Sequence, residues 1–137
     1  MLPRALLDAL RPAALVVEVG VGGRHETLRA LRATRPDLRV RATDVRPEAL
    51  HGLPPGVEGV VDDLHRPRAE VYAGAALLYV VRPGEEMQPA LARLARTVGA
   101  PLAVRPLGSE LADLAPWLGP AQVARGADGS AWHVFGA

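Results

Sequence analysis

The chain has 137 residues and a formal net charge of +1, and 49% of its residues are apolar. It is too apolar and too weakly charged for a disordered chain, and its length is the usual size of one domain. The small net charge excludes a strong overall attraction for nucleic acid, and no apolar run approaches the roughly 18 residues that span a bilayer. We predict a single cytoplasmic domain over residues 1–137, without a nucleic-acid or membrane partner.

Missing residue types exclude several chemistries. The chain has no cysteine, which excludes disulfides, thiolate nucleophiles and cysteine-ligated zinc. Every basic residue is arginine, so a Schiff-base lysine and the lysine of a phosphate-binding P-loop are absent. The 4 histidines are scattered without metal-ligand spacing, and no Ser–His–Asp set is legible. We therefore predict no metal site.

Short apolar runs along the chain predict seven strands. The first, fourth and fifth runs are nearly continuous in apolar residues, which is typical of parallel strands buried on both faces. Asp128-Gly129 is a turn signal between the last two runs, which predicts a closing hairpin. The runs are Ala14–Val19, Arg39–Thr43, Val57–Val61, Ala75–Val81, Pro101–Arg105, Ala121–Arg125 and Ala131–Phe135.

Amphipathic segments with helical periodicity lie between and before these runs. The predicted helices are a short N-terminal one with Pro3 in its first turn, one that buries Leu28 and Leu31, one over Leu91–Val98 that Gly99 caps, and one capped by Ser109 that contains Leu111 and Leu114.

Alternating strands and helices with a terminal hairpin are the pattern of a doubly wound α/β sheet. We predict a Rossmann-like sheet of about seven strands that resembles the class I methyltransferase fold. The Ala14–Val19 strand should be central, and the Ala131–Phe135 strand should be antiparallel to its neighbours. The alternative is a flavodoxin-like domain with five parallel strands.

A glycine-rich segment follows the first predicted strand. Glu18 ends that strand, and Gly20, Gly22 and Gly23 come before the next helix. Glycine allows a sharp turn at positive φ and a close approach of the backbone to a ligand, and amides at the helix start then point at that ligand. Glu18 can accept hydrogen bonds from a ligand amine or from amides of the loop. The alternative is a tight turn that binds nothing.

Acidic residues end the next two predicted strands. Asp44, followed by Val45, is well placed to accept both hydroxyls of a ribose, or else to cap the following helix. Asp62 and Asp63, followed by Leu64, come after the third strand, where an acid can accept from an adenine amino group. We expect one of these two adjacent aspartates to be merely solvated.

The acids and glycines together lie at the carboxyl ends of three successive strands, where open α/β sheets bind ligands. Their acid-x-Gly-x-Gly pattern resembles the S-adenosylmethionine site of class I methyltransferases, which implies that cofactor. The fingerprint of a dinucleotide site fits less well, because it requires glycine or alanine where His25 stands. The predicted cofactor-binding residues are Glu18, Gly20, Gly22, Gly23, Asp44, Val45, Asp62, Asp63 and Leu64.

The fourth and fifth predicted strands both end in an Arg-Pro pair. Proline restrains the residue before it, so we expect Arg82 and Arg105 to be extended at their strand tips and to converge on one opening. Two guanidinium groups there could clamp an anionic substrate, balanced in the free protein by Glu85, Glu86 or Glu110. The alternative is that each forms a structural ion pair. The predicted substrate-binding residues are Tyr79, Arg82, Pro83, Glu85, Arg105 and Glu110.

Three spacings carry a second resemblance: Asp62-Asp63-Leu64, Tyr79-x-x-Arg82-Pro83, and Arg105-Pro106-Leu107-x-x-Glu110. They resemble the uncharacterised protein family numbered 0146, a group of small Rossmann-like proteins. The resemblance implies a methyltransferase-like fold and names no reaction. Class I enzymes that methylate amino groups carry an Asn- or Asp-Pro-Pro-aromatic motif after the fourth strand, and this chain lacks it.

Two functions fit these observations. The first is binding of S-adenosylmethionine or a related nucleoside, with methyl transfer to a small anionic acceptor. Such a reaction relies on alignment and exclusion of water, so no catalytic residue is assigned. Loops after the fourth and fifth strands would form the acceptor pocket, or a second subunit of a homodimer would complete it. The second function is a non-catalytic module that binds a small-molecule ligand or a partner on the same fold.

Overall fold

The computed structural model describes residues 1–108 and 110–136. Within them the strands are β1 (Leu15–Glu18), β2 (Arg39–Asp44), β3 (Val57–Val61), β4 (Ala75–Val81), β5 (Leu102–Arg105), β6 (Gln122–Arg125) and β7 (Ala131–Phe135). These seven strands form one sheet in the order β3-β2-β1-β4-β5-β7-β6. Strands β1 to β5 run parallel to one another, whereas β7 is antiparallel to both β5 and β6.

The described α-helices are α1 (Arg4–Ala9), α2 (Glu26–Thr34), α3 (Ala69–Tyr72), α4 (Gln88–Val98) and α5 (Ala115–Leu118). Single turns of 3-10 helix follow β2 at Pro47–Leu50 and precede α4 at Glu85–Met87. None of the helices in the described ranges has the length and apolar character needed to cross a membrane.

The sheet confirms the predicted doubly wound architecture and its C-terminal hairpin, and it excludes the five-stranded alternative. The predicted strand bounds agree with the structure to within a residue or so. β1 is an internal strand, but β4 and not β1 is the middle one, because three strands lie beyond β4 on its far side. The chain runs outward from β1 to β3 and returns to β4, so a topological switch point lies between β1 and β4.

Apolar clusters cover both faces of the sheet. Successive residues of a strand point to opposite faces, so fully buried β1 sends Val16 to one cluster and Val17 to the other. Leu28 of α2 packs on the Val16 face, and Leu91 of α4 packs on the Val17 face. α4 ends as predicted at Gly99, which has φ +76°. These two helices therefore pack on opposite faces of the sheet at β1.

The predicted helix over Leu111 and Leu114 is wrong, and Ser109, its predicted cap, lies outside the described residues. Residues 110–114 are irregular, and α5 begins only at Ala115, with Pro116 in its first turn. A side chain from another element explains why. Two backbone groups of this segment form hydrogen bonds with a side chain of α4 and not with a helix of their own.

The side chain that holds this segment is Gln88, which is fully buried at the start of α4. Its Nε2 atom donates to the Glu110 carbonyl at 2.7 Å, and its Oε1 atom accepts from the Ala112 amide at 2.7 Å. One glutamine thus connects the loop after β5 to the helix after β4. The loop after β5 is therefore held against the first turn of α4 by this contact.

Replacing Gln88 with leucine should lower the free energy of unfolding by about 2 kcal/mol, because it leaves a backbone donor and acceptor without partners. Urea unfolding followed by circular dichroism measures the change. Gln122→Leu, on an exposed position of edge strand β6, is the matched control and should change stability little. Equal stability of the Gln88 and Gln122 variants would contradict this role.

Candidate functional site

The loop after β1 contains the positive-φ backbone conformation that its glycines predicted. Gly20 has φ +63° and Gly22 has φ +61°, a region that side chains with a Cβ rarely enter. A Cβ added to Gly22 would meet no atom within 4 Å, so conformation and not crowding requires glycine there. His25, next to α2, is buried with its Nε2 atom 2.9 Å from the Ala49 carbonyl oxygen.

Cavities open on both sides of this loop, and Gly20 and Gly22 border both. We call the smaller one, of about 250 Å³, the β4-side cavity; it is lined by Glu18, Gly20, Val21, Gly22, Gly23, Arg24, Glu26, Thr27, Val81 and Arg82. We call the larger one, of about 370 Å³, the β2-side cavity; it is lined by Val19, Gly20, Gly22, Thr43, Asp44, Val45, Arg46, Asp62, Asp63, Leu64, His65, Tyr72 and Met87. All nine residues predicted to bind the cofactor border one cavity or the other.

Glu18 lies at the bottom of the β4-side cavity with 2% of its surface exposed. Its Oε1 atom has no hydrogen-bond partner among the described residues. Burial raises the pKa of Glu18 to about 8; the neighbouring Tyr79 hydroxyl, which lowers it, and the charge of Glu26, which raises it, act less strongly. The carboxyl is therefore mostly neutral at pH 7, unlike an exposed glutamate.

Tyr79, predicted to bind substrate, is a core residue instead. It is fully buried, its ring packs edge-on against Trp132 at 6.0 Å between centroids, and it borders neither cavity. The register pairs it with Glu18 across β1 and β4, which places the two side chains together on one face. The Tyr79 hydroxyl lies near the Glu18 carboxyl but makes no hydrogen bond of good geometry with it or with any other described residue. Burial raises the pKa of Tyr79.

Asp44 shapes the glycine loop from the end of β2. Its Oδ2 atom accepts from the Gly22 amide at 2.8 Å, and its Oδ1 atom accepts from the Arg46 amide at 2.9 Å. The Arg46 guanidinium is more distant, at 3.9 Å. The carboxylate thus borders the β2-side cavity and at the same time fixes the loop that separates the two cavities. Val45, next to it, is exposed.

Asp62 is held by the protein itself. Its Oδ2 atom accepts from the Tyr72 hydroxyl at 2.7 Å, and its Oδ1 atom accepts from the Arg68 side chain at 3.1 Å and the Arg68 amide at 3.2 Å. Asp63 is the exposed member of the pair, and it accepts from the His65 amide at 2.9 Å. The expectation that one aspartate is solvated therefore applies to Asp63.

Tyr72 was not predicted as a site residue. It lies on α3, whose four residues are too few to show a helical period, so no local pattern marked it. Burial raises its pKa, and its hydroxyl also lies 3.5 Å from the Thr43 hydroxyl, at the limit of a hydrogen bond. Tyr72 therefore anchors the bottom of the β2-side cavity through Asp62.

Arg82 departs from its predicted conformation. It has φ +53°, in the left-handed region and not extended, and its amide donates to the Arg105 carbonyl at 2.7 Å. This turn carries the Arg82 side chain to the β4-side cavity, whereas Arg105 does not border it. The buried Pro83 follows and holds the turn. The β4-side cavity therefore contains Arg82 but not Arg105, so it is not the shared opening that we predicted for the two arginines.

We predicted that a glutamate neutralises the charges of Arg82 and Arg105. This prediction is wrong in the described part of the chain, where neither arginine takes part in an ion pair. Glu86 instead folds over the Cα of Gly84, in the space that a side chain there would occupy. Glu85 and Glu110 are exposed.

The model of the uncharacterised protein family UPF0146 matches residues 6–115. This chain belongs to the UPF0146 family. The UPF0146 protein of Methanothermobacter thermautotrophicus is 41% identical over 101 residues, which are 72% of this chain and 68% of the relative. The UPF0146 protein of Pyrococcus horikoshii is 37% identical over 93 residues, 67% of this chain and 70% of the relative.

The UPF0146 match spans β1 to β5 and both cavities and leaves the β6–β7 hairpin outside. It confirms the resemblance carried by the three spacings. Every part of the candidate site therefore lies within the segment that defines the family.

Solved structures similar to this UPF0146 chain are class I methyltransferases. The antibiotic-resistance methyltransferase Kmr has a TM-score of 0.63 at 18% identity, over 95% of this chain and 89% of Kmr. PigF, solved with S-adenosylhomocysteine, has a TM-score of 0.63 at 12% identity, over 95% of this chain and 52% of PigF. TrmK of M. capricolum, in complex with the same cofactor product, has a TM-score of 0.59 at 9% identity, over 95% of this chain and 64% of TrmK. At these identities the likeness shows the fold.

Proposed function

We propose that this chain binds S-adenosylmethionine, or a closely related nucleoside, across the two cavities that flank the glycine loop. The observation that carries the proposal is the left-handed loop at the topological switch point, which Asp44 holds by a hydrogen bond. Beside it lies Glu18 Oε1, which has no hydrogen-bond partner among the described residues. The fold is that of proteins solved with S-adenosylhomocysteine. An open glycine backbone between two cavities suits a ligand with a nucleoside at one end and a polar group at the other.

The residues divide between the two ends of such a ligand. In the β2-side cavity, Asp44 would accept from the hydroxyls of a ribose, and Asp63 and Leu64 would lie beside an adenine amino group. Gly20 and Gly22 let the backbone lie against the ligand between the cavities. The cofactor supplies an already activated methyl group when bound. The protein's share of a transfer reaction is then to align the acceptor and exclude water.

The acceptor that we propose is small and anionic. Arg82 borders the β4-side cavity and takes part in no ion pair among the described residues, and a guanidinium binds a carboxylate or a phosphate in a bidentate manner. Incubation with S-adenosylmethionine labelled at its methyl group, together with a set of small carboxylates and phosphates, should transfer label to one of them. Label that stays on the cofactor in every case favours the non-catalytic binding module.

Isothermal titration with S-adenosylmethionine and S-adenosylhomocysteine tests binding directly, and binding of neither overturns the proposal. Asp44→Ala should weaken binding by about 1–3 kcal/mol, because it removes a charged acceptor and frees the Gly22 amide. Glu48→Ala, exposed four residues further on, is the control and should bind as the wild type does. An Asp44 variant that is folded and has unchanged affinity would show that Asp44 supports the loop alone.

A further inference from the structure

A further cavity, of about 370 Å³, opens at the edge of the sheet opposite the glycine loop. Leu15 and Arg39, which border it, are the first residues of β1 and β2, and Gly56, which also borders it, precedes β3. These three strands are parallel, so their amino ends meet at one edge, whereas the glycine loop follows the carboxyl end of β1. We call this space the amino-edge cavity. It shares no lining residue with the β4-side or the β2-side cavity.

Three arginines and one glutamate border the amino-edge cavity. Arg39 and Arg41 lie two residues apart on β2, and Arg32 comes from the last turn of α2. Glu58 is paired with Arg41 in the register of β2 and β3, and it forms an ion pair with that arginine. Neither Arg32 nor Arg39 takes part in an ion pair among the described residues. The cavity therefore has two positive charges in excess, in a protein whose formal net charge is only +1.

The side chain of Arg32 is fixed by the protein itself. Its Nη1 atom donates to the Pro36 carbonyl at 3.1 Å and to the Leu38 carbonyl at 2.9 Å. The guanidinium lies against Gly56, where an added Cβ would come within 2.6 Å of Nη2, so a side chain there would displace it. Its Nε atom is buried without a hydrogen-bond partner among the described residues, which is rare for a polar atom. Arg32 is thus held in place while its hydrogen-bonding capacity is only partly used.

We infer that the amino-edge cavity binds a small phosphomonoester, with Arg32 and Arg39 holding its phosphate group. A phosphomonoester carries nearly two negative charges at pH 7, which matches the excess in the cavity, and a guanidinium binds phosphate oxygens in a bidentate manner. A fixed guanidinium loses little conformational freedom when it binds. The cavity has the volume of an ordinary small-molecule site, and the small net charge of the chain favours a small phosphate compound over a nucleic acid. This site lies outside the cofactor cavities, so it goes beyond the proposed function and does not depend on it.

Titration calorimetry with glycerol 3-phosphate tests the site, and glycerol is the comparison without the phosphate. The wild type should bind glycerol 3-phosphate and not glycerol. Arg39→Ala should weaken binding by roughly 10-fold or more, the effect of a lost charged hydrogen bond. Glu58→Gln should strengthen it, because the change removes the carboxylate and frees Arg41. Arg39 and Glu58 are both exposed, so both variants should fold as the wild type does.

Arg96→Ala is the matched control, because it removes an exposed arginine of α4 that does not border the cavity, and it should keep the wild-type affinity. The inference is overturned if the wild type does not bind glycerol 3-phosphate, or if Arg96→Ala weakens binding as much as Arg39→Ala does. Tighter binding of a single-stranded oligonucleotide that Arg39→Ala abolishes would also overturn it, in favour of a nucleic-acid surface. Arg39→Ala should bind S-adenosylmethionine as the wild type does, so this inference and the proposed function can fail separately.

Discussion

Replacing Glu18 with glutamine should make the protein more stable at pH 8 and should remove a loss of stability that the wild type suffers as the pH rises. Glutamine has nearly the shape of the protonated side chain and carries no charge at any pH. The cost that it removes is the one that burial imposes on the carboxylate.

The sign of the effect follows from the raised pKa of Glu18. The carboxyl loses its proton near pH 4.5 in the unfolded chain and near pH 8 in the folded one. Between these values the folded state binds the extra proton, so the free energy of unfolding falls as pH rises, by at most about 1.4 kcal/mol per pH unit. The stability that the folded state gains by holding the proton of Glu18 is fully present below pH 4.5 and is lost once the pH exceeds about 8.

Urea unfolding of the wild type and of Glu18→Gln at pH 5, 6.5 and 8 measures this difference. The gap between the two proteins should grow with pH, and it should reach several kcal/mol in favour of the variant at pH 8. Glu26→Gln changes an exposed glutamate beside the same cavity and should follow the wild type. Parallel curves for Glu18→Gln and the wild type would mean that the buried carboxyl titrates near its ordinary pKa.

Asp62→Ala should be the most destabilising change at the site, by about 2–4 kcal/mol, because it leaves the buried Tyr72 hydroxyl without a partner and removes a buried charged acceptor. The Arg68 ion pair contributes less, since that side chain is about half exposed at 52%. Tyr72→Phe removes the same hydrogen bond from the other side. A double-mutant cycle of the two changes should give a coupling well above zero.

Asp63→Ala is the matched comparison one residue further on. Because Asp63 is exposed, its removal should change the free energy of unfolding by no more than about 0.5 kcal/mol. It should instead weaken binding of the adenine end of the ligand, which titration calorimetry measures. If Asp62→Ala is as stable as Asp63→Ala, the hydrogen bonds of Asp62 do not support the fold.

Local patterns were enough to predict the elements of this fold. Continuous apolar runs mark β1, β4 and β5 because these strands are buried on both faces, and Gly99 ends α4 because only glycine enters the left-handed region freely. The same conformational argument found Gly20 and Gly22. Asp44 was predictable as a residue at the carboxyl edge of the sheet, since it ends a parallel strand and the carboxyl ends of parallel strands meet there.

Long-range contacts decided what individual side chains do. Asp62 and Asp63 are chemically identical neighbours, and the positions of Arg68 and Tyr72, six and ten residues after Asp62, make Asp62 structural and leave Asp63 exposed.

Proline predicted an extended Arg82, but the Arg105 carbonyl on the next strand holds its amide in a left-handed turn. The burial of Glu18, and with it the raised pKa, likewise depends on β4 and α2 packing around β1. The sequence by itself therefore determined where the site lies, because strand ends and glycine conformations are local properties. Only the tertiary structure decided which groups are free to meet a ligand, because hydrogen-bond partners and burial come from residues far apart in the chain.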